Sequence, residues 1–224
     1  MAPLIASRKA PMTNTSGHPA LTALYNLGGQ GDPKTVEKIY EQWASSYDSD
    51  ILGDEQGYVG PQTAVRALVR AGVSPSAHIL DAGCGTGLVG VHLAKAGYAD
   101  VDGMDLSPAM LEQASKTGSY KALGTVDLTR DIPAPDAAYD GITCVGTLTH
   151  GHVGPRVLNE FVRVVKPNGV IVATVLDDIW EEDGFADEVN QLAKDNKVDV
   201  LGTDLEPYRA GAGVNARTLV MRRR

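Results

Sequence analysis

Cysteine is nearly absent: the chain has two among 224 residues, Cys84 and Cys144. No C-x-x-C pair exists, so neither a disulfide framework nor a thiolate metal cluster is expected, and a reducing cytoplasm is the natural setting. No stretch approaches the ~18 consecutive apolar residues that a membrane-spanning helix needs. The N-terminus lacks a hydrophobic run ahead of a small-residue cleavage site, so no secretory signal is expected. Positive charge is scarce as well, with 20 Lys and Arg against 28 Asp and Glu and a formal net charge of −8. Nucleic-acid binders carry a basic stripe that releases counterions from phosphates. The only basic cluster here is Arg222-Arg223-Arg224, which reads as a solvated tail. These absences point to a small-molecule partner and away from nucleic acid or membrane; a protein acceptor and the oligomeric state stay open.

Hydrophobic residues make up 43% of the chain, enough for one substantial core. Residues 1–30, rich in Pro, Ser, Thr, Asn and Gly, read as a flexible leader with a short helix near Leu21–Leu27. Residues 31–224 read as one domain whose first part, 31–72, forms a helical lid. Asp32-Pro33 has the form of a helix start, and Val36, Ile39, Tyr40, Trp43 and Tyr47 follow on one helical face. A second helix ends near Ala71 before Gly72. Short apolar strands are then expected at His78–Ala82, Val101–Met104, Ala122–Val126, Gly141–Val145 and Val170–Val175, alternating with helices. Two more, near Val198–Thr203 and Arg217–Met221, close the sheet. Such alternation implies an α/β fold, a parallel sheet with helices on both faces.

The most informative segment is His78-Ile79-Leu80-Asp81-Ala82-Gly83-Cys84-Gly85-Thr86-Gly87. A buried strand runs into three alternate glycines, where the backbone can turn tightly and a ligand can approach it. Gly85–Gly90 also satisfies G-x-G-x-x-G, the dinucleotide fingerprint. In that fingerprint the first glycine follows the strand directly; here the glycines begin earlier and Asp81 stands ahead of them. A carboxylate there repels a pyrophosphate and suits a cationic ligand. Asp105 follows the second strand, where it can accept from ribose hydroxyls. Asp127 ends the third, within reach of an adenine amino group. Each aspartate alone is also consistent with a helix cap or turn. Three at successive strand ends beside one glycine loop favour a nucleoside site.

These residues resemble the class I S-adenosylmethionine-dependent methyltransferases. Ile79–Gly87 is similar to that family's first motif, Met104–Leu111 to its second, and Val126-Asp127-Leu128 to its adenine-contacting stretch. Tyr139–Gly146 and Phe161–Val170 resemble its later motifs. The likeness covers about Thr35 to Val175. Tyr40-Glu41-Gln42-Trp43-Ala44, Tyr47-Asp48 and Gly146-Thr147-Leu148-Thr149 look most like the Williams–Beuren-region methyltransferase-like group. Asn168 departs from the family, which commonly has glycine there. The resemblance implies a doubly wound, Rossmann-like seven-stranded sheet in the order 3-2-1-4-5-7-6, with strand 7 antiparallel. It implies S-adenosyl-L-methionine as cofactor. Gly83, Gly85 and Gly87 would border its methionine part, Asp105 its ribose, and Leu106, Met110, Asp127 and Leu128 its adenine. Val145 would lie under the sulfonium, and Tyr40, Trp43 and Tyr47 would form a lid.

In-line methyl transfer needs alignment and desolvation, plus a base only where the acceptor is protonated. His150 and His152, after the fourth strand, are the candidate bases; contact with the cofactor or loop support are the alternatives. No metal is expected, since no neighbouring carboxylate or cysteine completes a ligand set with them. Tyr58, Trp180 and Tyr208 are candidate acceptor-pocket residues, with ordinary packing the other reading for each. Two rival functions stay open: a nicotinamide-dependent oxidoreductase, which the missing Tyr-x-x-x-Lys pair disfavours, and a non-catalytic S-adenosylmethionine-binding protein.

Overall fold

The structure, a computed structural model, describes residues 17–28 and 31–224. Most of the expected leader therefore lies outside the described residues. Its described part is not loose: α1 (Pro19–Asn26) packs on the domain and buries Leu24. Three helices follow, α2 (Pro33–Trp43), α3 (Tyr47–Leu52) and α4 (Gly60–Arg70). Asp32 caps α2, its carboxylate accepting from the Thr35 N–H at 3.1 Å. Tyr47, expected on the same helix as Tyr40, opens α3 instead, after a turn at Ala44–Ser46.

The strands are β1 (Ile79–Ala82), β2 (Val101–Asp105), β3 (Ala122–Thr125), β4 (Tyr139–Leu148), β5 (Val165–Leu176), β6 (Val198–Arg209) and β7 (Val214–Arg223). They form one sheet in the order β3-β2-β1-β4-β5-β7-β6. β1 pairs parallel with both β2 and β4, and β7 runs antiparallel between β5 and β6. The helices α5 (Leu88–Lys95), α6 (Pro108–Lys116), α7 (Val157–Val164), α8 (Asp177–Glu182) and α9 (Phe185–Lys194) fill the connections. β1 is wholly buried and the centre of β5 nearly so, as covered parallel strands should be. Asn168 adopts φ +68°, the left-handed conformation for which Asn is the usual substitute for Gly.

The C-terminal arginines are not a solvated tail. Arg222 and Arg223 lie in β7, where Arg222 donates to the Ala71 carbonyl at 2.7 Å and Arg223 to those of Arg163 and Val165. Arg224 pairs with Asp199 on β6. Their charge is used to fasten α4, α7 and the sheet edge together.

Glycines make room for one ring beneath the sheet's carboxyl edge. Tyr120, just before β3, lies where a Cβ at Gly90 would sit 2.4 Å from its Cζ, and one at Gly103 would sit 2.9 Å from Cδ1. In an ordinary helix Gly→Ala stabilises by up to about 1 kcal/mol. Gly90→Ala in α5 should do the reverse, costing about 1–3 kcal/mol through overpacking. Urea denaturation measures this, and a variant more stable than the parent would contradict the packing.

Candidate functional site

The glycine loop between β1 and α5 is held almost entirely by its backbone. Gly83, Gly85 and Gly87 take φ of +75°, +54° and +95°, values that L side chains resist. The N–H groups of Gly83 and Cys84 donate to the Met104 carbonyl at 2.7 and 2.9 Å. The Gly85 N–H donates to Asp105 Oδ2 at 2.8 Å, and the Ser107 N–H donates to Oδ1 at 2.9 Å. Asp105 thus stitches the loop to the end of β2 while both oxygens keep lone pairs free. A Cβ on Gly83 would meet Thr147 Oγ1 at 2.0 Å, so β4 presses against the loop from the other side. A Cβ on Gly85 would meet nothing within 4 Å, because that residue faces the cleft.

The cleft holds about 870 Å³ of space, part of it open to solvent. Its wall brings together Gly83, Gly85, Asp105, Leu106, Met110, Asp127, Leu128, Val145, Tyr40 and Tyr47. Val126, Thr86 and Thr147 line it too, without having been singled out from sequence. Leu106, Met110, Val126 and Leu128 make an apolar slot beside the two carboxylates. Asp127 Oδ1 accepts from the N–H and hydroxyl of Thr129 at 2.9 and 2.6 Å, which fixes the turn after β3.

Three expected cofactor residues stand elsewhere. Gly87 is the N-cap of α5, and a Cβ on it would press on Ala114, Thr117 and Tyr120 and not face the cleft. Trp43 is buried behind Tyr40 and Tyr47; its indole N–H is committed to Asp50 at 2.8 Å. Asp81 is fully buried behind the loop, its oxygens taken by the hydroxyls of Tyr120 and Thr143, each at 2.8 Å. The Tyr120 hydroxyl in turn accepts from the Gly90 N–H at 3.1 Å. Asp81 therefore buttresses the loop from behind. Burial pushes its pKa up to about 7, against the two hydrogen bonds that favour the carboxylate. Burial likewise raises Asp105, although the N–H groups of Ser107 and Gly85 oppose it.

A second chamber of about 520 Å³ adjoins the cleft and shares Tyr40, Tyr47, Tyr58, Gly146 and His152 with it. Trp43, Tyr208, His150 and Arg209 complete much of its wall. Tyr58 and Tyr208 meet edge to face, with ring centroids 5.0 Å apart. Trp180 reaches neither space; it packs in the core with the Arg217 guanidinium 5.9 Å above its ring.

The two histidines play different parts. His152 Nδ1 lies 2.7 Å from the His150 carbonyl, which can only accept, so Nδ1 carries the proton. Nε2 then accepts from the Tyr40 hydroxyl at 2.9 Å. Burial lowers its pKa to about 4, which keeps the ring neutral. His150 is half-buried, with Nε2 2.8 Å from Oδ2 of the more exposed Asp178. That carboxylate, on α8, was not foreseen from sequence. Among the described residues no cluster of three His, Cys, Asp or Glu could hold a metal. Sequence reasoning also missed Asp48, whose Oδ1 accepts from the Thr86 hydroxyl at 2.5 Å and ties α3 to the glycine loop. The Tyr47-Asp48 pair had been noticed only as part of a likeness.

A seven-stranded sheet of this order, with a glycine loop bonded to an aspartate at the end of β2, is the class I S-adenosylmethionine-dependent methyltransferase fold. Residues 79–169 match the family model described as a methyltransferase domain. The chain is 38% identical over 149 residues to human (Homo sapiens) methyltransferase-like protein 27, covering 64% of this chain and 60% of that protein. It is 38% identical over 104 residues to demethylmenaquinone methyltransferase of Symbiobacterium thermophilum, covering 42% and 41%. The chain thus spans less than two thirds of either relative. Magnesium protoporphyrin IX methyltransferase from Synechocystis PCC 6803, solved with bound SAH, superposes with a TM-score of 0.65 at 19% identity, over 86% of this chain and 100% of that one. The cyclase SpnF superposes with 0.64 at 17%, over 87% and 97%. At such identities the likeness concerns the fold alone.

The Asp81 carboxyl holds its proton more tightly in the folded chain than in the unfolded one. Its contribution to stability is complete below the ordinary carboxylate pKa and is lost as pH rises through about 7. The loss amounts to at most about 4 kcal/mol. Urea midpoints should fall between pH 4 and pH 8 in the parent, and that slope should flatten in Asp81→Asn. Identical slopes would rule out Asp81 as its source.

Proposed function

We propose that this chain is an S-adenosylmethionine-dependent methyltransferase acting on a small molecule held in the second chamber. The observation that carries the reading is Asp105: its carboxylate is fixed by two backbone N–H groups at the rim of a cleft whose floor is glycine and whose flank is apolar. That donor set fits an adenosyl thioether. Asp105 would accept from the ribose hydroxyls, the slot around Leu106 and Met110 would take the adenine, and the open backbone at Gly85 would border the amino-acid part. The buried carboxylates of Asp81 and Asp105 favour a cation nearby, which matches a sulfonium and disfavours a diphosphate. That argues against a nicotinamide oxidoreductase.

When bound, the cofactor supplies an electrophilic methyl carbon on a good leaving group. The chain's own task is to align the acceptor and exclude water. Tyr40 and Tyr47 stand between the cleft and the second chamber, and His152 fixes the Tyr40 hydroxyl. His150, oriented by Asp178, is the better general base for a hydroxyl acceptor, because His152 is weakly basic and already bonded through both ring nitrogens. Membership of the Williams–Beuren-region group and a cytoplasmic location are parts of the same proposal.

Calorimetric titration with S-adenosylhomocysteine should give binding that Asp105→Ala weakens by about 1–3 kcal/mol. Binding of reduced nicotinamide cofactor in its place would overturn the reading. Transfer of labelled methyl to a panel of phenolic acceptors distinguishes an enzyme from a silent cofactor binder. In that assay His150→Gln should lower turnover by about 10²–10⁴-fold with S-adenosylhomocysteine affinity unchanged. Full activity in the variant would remove His150 from the role.

A further inference from the structure

We infer that the second chamber is built for a small aromatic carboxylate, anchored by the guanidinium of Arg209. The inference rests on the methyltransferase reading only in calling that carboxylate the methyl acceptor.

Arg209 ends β6 and is only 9% exposed, yet it lines the chamber. Its one polar partner among the described residues is neutral: Nη1 donates to Gln56 Oε1 at 2.8 Å. Arg163 has Glu160 and Asp136, and Arg217 has Asp177, whereas Arg222 and Arg223 are held by backbone carbonyls. Burying a guanidinium without a counter-ion is costly, and a fixed cation facing a cavity is matched by an anion that enters it. The planar fork of arginine suits a carboxylate, which it can bind through two parallel hydrogen bonds.

The backbone keeps that group in place. Gln56, Gly57 and Tyr58 pair with residues 208–211: Val59 N–H donates to the Tyr208 carbonyl at 2.9 Å, Ala210 N–H to that of Gly57 at 3.1 Å, and Gly211 N–H to that of Gln56 at 3.0 Å. A Cβ on Gly211 would meet the Asp54 carbonyl at 2.0 Å, so glycine permits this approach. The remaining walls combine the rings of Tyr40, Trp43, Tyr47, Tyr58 and Tyr208 with the aliphatic side chains of Leu21, Leu24, Ile51 and Leu176. Five rings around one space give an aromatic body faces and edges to pack on. The field of Arg209 reaches Tyr40, Tyr47 and Tyr208, opposing the rise that burial imposes on their hydroxyls.

Calorimetry on the full chain saturated with S-adenosylhomocysteine tests this with matched probes. Benzoate should bind at least about tenfold more tightly than benzamide, the difference expected for a charge-assisted hydrogen bond. Arg209→Met should erase the preference, and Arg209→Lys should retain part of it. Equal affinity for the two probes in the unaltered protein, or binding of neither, overturns the inference and needs no variant to fold. Phenyl phosphate binding more tightly than benzoate would overturn the carboxylate assignment. Failure of S-adenosylhomocysteine to bind, with benzoate still preferred, would instead count against the methyltransferase reading.

Discussion

The site depends on one constraint: a loop with glycine at alternate positions must lie flat against the end of the neighbouring strand. Gly83 and Cys84 hand their N–H groups to the Met104 carbonyl, and Gly85 hands its own to Asp105. Each contact needs positive φ, or a Cα with nothing attached on the side of Thr147. Once that is met, the rest is determined. Asp105 cannot rotate away, α5 must start at Gly87, and the space over Gly85 stays open. Sequence chemistry thereby becomes a rigid edge on which a ligand can be placed without reorganisation.

The loop also needs support from behind, and that support is polar. Tyr120 occupies the volume that Gly90 and Gly103 leave, and its hydroxyl joins the α5 backbone to the Asp81 carboxyl on β1. Thr143 on β4 holds the other oxygen. Two strands, the loop before β3 and one helix meet at a single buried acid. An apolar residue at 81 would leave two hydroxyls unsatisfied in the sheet's centre, each at a cost of about 1–3 kcal/mol. Asp81 therefore acts on a ligand through its field and through the loop's rigidity, not by contact.

Local chemistry was legible in the chain itself. The Asp32 helix cap, the glycine loop and the strand-end aspartates are short-range patterns, and their elements formed where those patterns stand. What escaped were partnerships fixed by the fold at long range. Trp180 looked like a pocket aromatic, and Trp43 like part of a lid over the cleft, because sequence cannot tell which space, if any, a ring faces. Asp178 is 28 residues from His150 and meets it only because β5 returns α8 to the same edge. β6 extends to Arg209, past the Thr203 expected as its end, because an edge strand tolerates Asp204, Glu206 and Pro207 where an inner strand would not. The terminal arginines looked free for the same reason: their acceptors are carbonyls of α4 and α7, invisible to charge counting.

The same division separates the general from the particular in this molecule. Glycine loop, Asp105 and Asp127 all fall within residues 79–169, the part that matches the methyltransferase-domain model. Gln56, Tyr58, Tyr208 and Arg209 fall outside it, on a loop before β1 and on the last turn of the edge strand. They meet because β6 is long enough to carry its end back over the cleft. The half that holds the glycine loop is constrained by backbone geometry, which admits few substitutions. The other half is walled by side chains on elements that only touch one another, where a change of residue alters shape and charge without disturbing the sheet. Selectivity for an acceptor can therefore change independently of the reaction, and a fold shared with a cyclase is compatible with that independence. In this chain that half holds the buried guanidinium of Arg209 amid a surplus of negative charge, and on the reading proposed above that charge, more than the fold, selects what enters.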